Sequence, residues 1–328
     1  MLNNFRKKKS FLFSLTLLSL LHASDVATLT EYRNYGIEQI QKNFDQQLSQ
    51  VNYWKKYLQN RDTRFGYFES YTDILICDKS KPQLSLYTKD KDNSFILDKE
   101  FSAYTGKNRG DKEKEGDLKT PVGVYNLIQK ISNVDSFYGP MAFVTSYPNL
   151  YDKYKGKSGQ GIWIHGVPID QERDSFTKGC IAIDNQNLES LDQKLDLKKT
   201  ILIIDEKKEI FTQQKEKYAL ILSQLFSWRY AWIYNDLSKY LNFYDPMFKR
   251  FDGMNIKQFS RYKKRIFSRK EKKSIVFTNI NIIPYPNSQN MFTINFKEDY
   301  KAKHFAFKGN KVLIVKLVDK KLKIITER

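Results

Sequence analysis

Cysteine and histidine are scarce: the 328 residues contain two cysteines, Cys77 and Cys180, and three histidines, His22, His165 and His304. Disulfide stapling is therefore excluded as the main source of stability, because bridging the two thiols would disable whichever one is reactive. Long apolar runs are also missing. The longest near the N-terminus, Phe11 to Leu21, falls short of the roughly 20 residues a membrane-spanning helix needs. It follows Arg6-Lys7-Lys8-Lys9 and precedes Ala23 and Ser24, the order of a cleavable export signal over residues 1–24. The alternative is an uncleaved interfacial helix. No cysteine lies at the end of the run, so a lipid anchor is not indicated. Export to the periplasm, with membrane or wall association, is the expected location.

Acidic residues are scarce in one half only. Residues 1–24 carry a formal +4, residues 25–206 a formal −2, and residues 207–328 a formal +17, with 27 Lys and Arg against 10 acids. A charge boundary of this kind predicts two folded units with different partners. The basic half suits an anionic surface such as wall polymer or phospholipid, and export argues against nucleic acid. A plain solvated basic surface is the other reading of the same charge. Hydrophobic residues at 41% and aromatics at 15% suffice for real cores and exclude a disordered chain.

From Asp25 to Thr63 there is no proline and one glycine, and Ile37, Ile40, Phe44, Leu48, Val51 and Leu58 recur at helical spacing. This predicts an amphipathic helical arm over residues 25–68, packed on its own chain or paired with a second copy as a homodimer. Short β-type segments then follow at Asp73 to Cys77, Leu84 to Tyr87, Phe95 to Leu97, Val122 to Leu127, Ile162 to Ile164, Ile181 to Ile183 and Ile201 to Ile204, broken by turn residues, and predict a mostly β domain over residues 69–206. In residues 207–328 a helical stretch, Tyr218 to Tyr240, precedes strand-like runs at Ser274 to Ile283, Met291 to Phe296, His304 to Phe307, Lys311 to Val318 and Lys321 to Thr326. The chain as a whole reads as α+β.

His165 is the one histidine of the β domain, and Cys180 follows 15 residues later. Each sits beside a glycine at the end of a strand-like run, in Ile164-His165-Gly166 and Gly179-Cys180-Ile181. A thiol becomes a nucleophile on losing its proton, and an imidazole can take that proton and later return it to a leaving amine. No acid adjoins His165, so the Gly166 carbonyl is the expected third member that fixes the ring tautomer. The backbone N–H groups of Gly179 and Cys180 are candidates to hold an oxyanion. A buried structural cysteine and a hydrogen-bonded core histidine are the alternative reading of the pair.

These residues resemble the signature of the YkuD-type L,D-transpeptidases: His165, a gap, then Thr177-Lys178-Gly179-Cys180. Upstream, Gly106 to Asp111, Glu115-Gly116-Asp117 and Thr120-Pro121-Val122-Gly123 are similar to the family's segment ending in a Thr-Pro-x-Gly turn. Downstream, Asp184 to Leu188 and Thr200 to Ile204 resemble its helix start and last strand. Two departures stand out: Lys178 replaces the family's second histidine, and Ala182 an arginine able to grip a carboxylate bidentately. This altered motif, with an α+β tail, is similar to the cell-shape L,D-carboxypeptidases of helical epsilonproteobacteria. The resemblance implies trimming of a stem tetrapeptide to a tripeptide through a thioester, with no metal and no cofactor. The alternative acceptor is an amine, giving a 3-3 crosslink or protein attachment. A non-catalytic wall-binding scaffold is the rival of another class.

Lys107 and Arg109 are expected to bind substrate carboxylates, or else to sit in a solvated loop. Trp163, Thr177 and Lys178 flank the reactive pair as further substrate contacts. Trp228-Arg229-Tyr230-Ala231-Trp232, Asp236, Tyr240 and Tyr244 to Phe248 resemble the opening helices of an NTF2-like domain. The implied conical pocket is a site for a sugar or peptide, with Trp228, Trp232 and Tyr240 as lining or as plain core. Cys77, ending Ile74-Leu75-Ile76, reads as a packing residue. The basic run Arg261 to Lys273 reads either as a docking surface or as an exposed helix face.

Overall fold

The computed structural model describes residues 5–169, 174–207 and 212–328, with side chains from residue 26 onward. The export segment read at residues 1–24 lies outside the described side chains. Among the described residues, no helix is long and apolar enough to cross a membrane.

The chain opens with α1 (Phe5–Leu48), broken at Gly36, and continues through α2 (Val51–Tyr57) and a two-residue β1 (Tyr67–Phe68). Gly36 takes φ of 75°, a left-handed conformation that costs a glycine little. The second half of the arm packs on its own chain. Trp54, Leu58 and Tyr67 are buried in one cluster with residues of α5 (Lys215–Ile233, described below). The Trp54 ring lies 5.1 Å from Phe226, and its indole N–H donates to the Leu48 carbonyl at 2.7 Å. Asp45 pairs with the buried Arg229 guanidinium and also accepts from Tyr234 Oη at 3.1 Å. Trp54→Ala is expected to cost about 3–5 kcal/mol, read as a lower denaturant midpoint, since the arm then loses its main anchor.

The β domain comprises β2 (Asp73–Asp78), β3 (Gln83–Lys89), β4 (Phe95–Ser102), β5 (Gly123–Ile131), β6 (Ala142–Thr145), α3 (Leu150–Tyr154), β7 (Trp163–His165), β8 (Ile181–Ala182), α4 (Asn185–Lys194) and β9 (Thr200–Asp205). Its strands form one sheet in the order β4-β3-β2-β9-β5-β6-β7-β8. All six residues of β2 and of β9 are buried, as expected of central strands covered on both faces. This is why Ile74-Leu75-Ile76-Cys77 and Ile201 to Ile204 read as continuous apolar runs.

The C-terminal domain comprises α5, α6 (Leu237–Leu241), α7 (Ile256–Phe267), β10 (Ser274–Pro284), β11 (Met291–Lys301), β12 (Ala306–Val318) and β13 (Lys321–Glu327). The helical stretch expected from Tyr218 to Tyr240 is divided at Asn235, whose φ of 59° breaks the helical path. The runs at His304 to Phe307 and Lys311 to Val318 join as the single β12. Its sheet runs β1-β10-β11-β12-β13, so Tyr67 and Phe68, on the arm side of the boundary drawn at residue 68, belong to the C-terminal sheet. A third cluster, with Phe68, Tyr71, Ile74, Ile76, Ile283 and Tyr285, joins the two sheets.

Candidate active site

The parallel pairing of β7 with β8 sets the geometry of the site, with Ile164 opposite Ile181 and His165 opposite Ala182. Side chains alternate along a strand, so Trp163, His165, Cys180 and Ala182 share one face of this ribbon. Paired strands lie about 4.8 Å apart, and Cys180 immediately precedes β8, so the register sets the imidazole on the adjacent strand two residues beyond the position opposite the thiol. Cys180 is partly exposed, and its thiol lies 3.5 Å from the Gly161 carbonyl. His165 is buried, with the Tyr138 ring edge-on at 5.0 Å.

His165 Nδ1 lies 2.7 Å from the Gly166 carbonyl oxygen. A carbonyl only accepts, so Nδ1 carries the hydrogen and Nε2 presents a lone pair. Gly166 is itself held by its N–H, which donates to the Tyr138 carbonyl at 2.9 Å. The Asn185 side chain clamps the next residue, accepting from Val167 N–H at 2.9 Å and donating to the Val167 carbonyl at 3.2 Å. A Cβ on Gly166 would meet Asn185 Oδ1 at 2.1 Å, so glycine is required by close approach. Neither Tyr138 nor Asn185 stands out in the sequence as a site residue. Asn185 was visible as part of the helix start after the nucleophile, but its contact with the histidine loop is tertiary.

Three expected site residues take other roles. Thr177 is buried, and its hydroxyl donates to the Cys180 carbonyl at 2.6 Å and accepts from Gly179 N–H at 3.0 Å. It therefore shapes the nucleophile turn rather than facing substrate. The same contact commits the Gly179 N–H, which takes it out of the oxyanion role in this conformation. Gly179 has φ of 137°, and a Cβ there would meet the Lys119 carbonyl at 2.8 Å. Arg109 is exposed and turns its charge toward the end of β9. Burial works to raise the Glu206 carboxyl, but Lys79, the Gly110 N–H and Arg109 together hold it below the ordinary carboxylate range. Lys107 stays beside the nucleophile loop through the Gly106–Thr177 bridge, its ammonium 5.0 Å from the Phe176 ring. Lys178 is exposed and Trp163 half-buried. Ala182 is fully buried and bonded through both backbone groups to Tyr104, so no exposed cation stands at this position.

Cys77 is fully buried in β2, and burial pushes its thiol up to about 12. A thiol reacts through its thiolate. Iodoacetamide at pH 7.5 is therefore expected to leave Cys77 untouched in the folded protein and to modify Cys180, giving one adduct by mass. Two adducts without unfolding would contradict this.

A cavity of about 640 Å³ opens in the C-terminal domain, lined by Trp232, Lys263, Glu298, Tyr300, Lys311 and Glu327 among others. Trp228 and Tyr240 are absent from the lining: both are fully buried, their rings stacked 5.6 Å apart in the core. Lys263 lies 4.4 Å from the Trp232 ring, and burial pushes its ammonium down to about 8. A lysine depressed in the folded state is protonated only in the unfolded chain between about 8 and its ordinary 10.5, so stability rises with pH across that window. Lys263→Met is expected to flatten this rise, measured as the urea midpoint of both proteins from pH 7.5 to 10.5. The run Arg261 to Lys273 spans the end of α7, and Lys263, Arg265, Arg269 and Lys273 line this cavity.

Residues 72–204 match the L,D-transpeptidase catalytic domain, YkuD, and residues 220–328 match the Cds6 C-terminal NTF2-like domain. The helical cell shape determining protein Pgp2 from Campylobacter jejuni is 44% identical, over 86% of this chain and 100% of that one, with a TM-score of 0.79. The chain belongs to the L,D-transpeptidase family. Bd1075 from Bdellovibrio bacteriovorus has a TM-score of 0.66 at 27% identity, over 81% of this chain and 97% of that one. YafK of Escherichia coli K12, named as a candidate L,D-transpeptidase, is 32% identical over 116 residues, 35% of this chain. The chain spans 44% of the length of that curated relative. The L,D-transpeptidase match ends at residue 204, one residue before β9 closes, and the NTF2-like match begins within α5.

Proposed function

We propose that the protein is an exported, peptidoglycan-acting cysteine L,D-carboxypeptidase that removes terminal D-alanine from stem tetrapeptides. The observation that supports this reading is the β7–β8 register, with His165 on β7 and Cys180 immediately before β8, together with Nδ1 fixed by the Gly166 carbonyl. His165 Nε2 takes the thiol proton as Cys180 Sγ attacks the carbonyl between the L-centre of meso-diaminopimelate and D-alanine. The C–N bond breaks, the imidazolium gives its proton to the departing amine, and a thioester remains. Water, deprotonated by the same nitrogen, adds to the thioester and releases tripeptide and thiol.

Hydrolysis is favoured over amine transfer by Ala182. An acceptor stem brings its own carboxylates, and the arginine that would grip one bidentately is replaced by a buried methyl group. The test is the mass of the product that purified protein makes from disaccharide tetrapeptide. Tripeptide plus free D-alanine supports trimming, while 3-3 dimers with no tripeptide would replace it with crosslinking. Absence of any product would favour a wall-binding scaffold.

A role in cell shape follows by analogy with Pgp2, and a periplasmic location from the N-terminal segment. The C-terminal cavity, with the Lys263 ammonium set among the Trp232, Tyr240 and Tyr262 rings, suits a sugar or peptide bearing a carboxylate. The first half of the arm exposes Val26, Leu29, Tyr32, Tyr35 and Ile37, a row that a second copy of the chain would cover.

A further inference from the structure

The two sheets meet back to back, and between them lies a second cavity of about 660 Å³. On β5, Tyr125 and Leu127 enter the core of the catalytic domain, so Val124, Asn126 and Ile128 face the other way. On β11, Phe292, Ile294 and Phe296 enter the C-terminal core, so Thr293 and Asn295 face outward. Where Phe68, Tyr71 and Ile74 bridge the sheets the junction is apolar. At the cavity it is mixed: Asn126, Ser146, Asn149, Thr293 and Asn295 line it beside Val124, Ile128, Ile201, Val312 and Ile314.

Two of these side chains keep an unpartnered oxygen, although the Asn295 amide N–H also donates to Tyr71 Oη at 3.4 Å. Thr293 is 6% exposed and its hydroxyl has no hydrogen-bond partner, and the buried Asn295 Oδ1 has none either. A buried polar atom left without a partner costs about 1–3 kcal/mol, and valine would fill the Thr293 position without that cost. Groups of this kind are kept where something else supplies the partner. The rim adds Lys153 and Lys249, while the Arg250 guanidinium is committed to Asp252, and among the described residues no aspartate or glutamate lines the cavity. Phe251, 60% exposed, stands beside them.

We propose that this interdomain cavity is a binding site for a carboxylate-bearing, N-acetylated amino-sugar glycan. Acceptor oxygens on the floor take hydroxyl or amide donors, basic side chains at the rim take the carboxylate, and the Phe251 ring takes a sugar face. The volume fits a disaccharide within the usual range of ligand sites, roughly 300–1,000 Å³. The choice of glycan rests on the wall-acting reading above. The site is separate from the C-terminal cavity, sharing with it only the 250–251 rim and Arg328. A glycan held between the domains would fix where along the polymer the catalytic ribbon reaches a stem.

The experiment is calorimetric titration of the full-length wild-type protein with N-acetylglucosaminyl-N-acetylmuramic acid, which has no peptide to be turned over. Saturable binding is expected, weakened at least 10-fold in Thr293→Val and in Lys249→Glu and unchanged in Lys91→Ala, an exposed lysine that lines neither cavity. Thr293→Val is further expected to raise the melting temperature, the mark of a hydroxyl retained for a ligand. Binding unaltered in both groove variants, binding lost in Lys91→Ala, or equal binding of uncharged diacetylchitobiose would each overturn the proposal. D-Alanine release from a free tetrapeptide is measured on the same samples: its absence in the wild type would defeat the enzymatic reading, and the titration stands apart from it.

Discussion

Cys180→Ala is expected to lower D-alanine release from disaccharide tetrapeptide at least about 10⁴-fold, because removing the nucleophile of a covalent mechanism leaves only binding and dipole stabilisation. The loss should fall on kcat, with KM nearly unchanged, since Cys180 sits at the end of a strand and its thiol does not fill a core. His165→Gln should cost about 10²–10⁴-fold, also on kcat. The melting temperature separates chemistry from folding: Cys180→Ala should melt within a degree or two of wild type. If Cys180→Ala kept a tenth of the activity, the thioester route would be wrong.

The second large effect concerns stability. Lys157 Nζ lies 2.5 Å from Asp111 Oδ2 and 2.8 Å from Asp152 Oδ1, and Asp152 is fully buried. Asp152 also accepts from Tyr125 Oη at 3.1 Å and from Asn149 N–H at 3.0 Å, while Asp111 Oδ1 accepts from Val122 N–H at 2.8 Å. One lysine thus ties the turn before β5 to α3. Burial raises the Asp152 carboxyl above its ordinary range, with Lys157 opposing. Removing one partner of a buried pair leaves an uncompensated charge and costs about 3–5 kcal/mol. Lys157→Met is expected to lose that much at pH 7.5 by urea unfolding. Without the ammonium, Asp152 is raised further. A carboxyl raised in the folded state loses stability as pH climbs through its folded value, so the deficit should shrink toward pH 4.5. Lys157→Met with Asp152→Asn should recover part of it.

The fold was legible where local pattern and tertiary role agree. Ile74 to Cys77 and Ile201 to Ile204 are central strands, and a strand covered on both faces must be apolar throughout. β6 was missed because Ala142 to Thr145 is four residues long, too short for a period to show. The helix break at Asn235 was missed because one left-handed residue leaves the apolar spacing on both sides intact. In the candidate site, rarity and flanking glycines single out His165 and Cys180 in the sequence. The role of Thr177 was not legible, because facing substrate or facing its own turn is a matter of one rotamer. Gly179 was misjudged for the same reason: its N–H is unobstructed in sequence, yet Thr177 occupies it in space.

By itself the sequence determined the strand and helix content, the division between a near-neutral and a strongly basic half, and which thiol and imidazole are available, because periodicity, charge and rarity are properties of neighbours along the chain. Tertiary structure alone decided that the arm anchors on α5, that Asn185 clamps the loop after the histidine, and that unpartnered oxygens line the seam between the sheets. Those contacts join residues far apart in sequence, and no local pattern encodes which distant surface a side chain will meet.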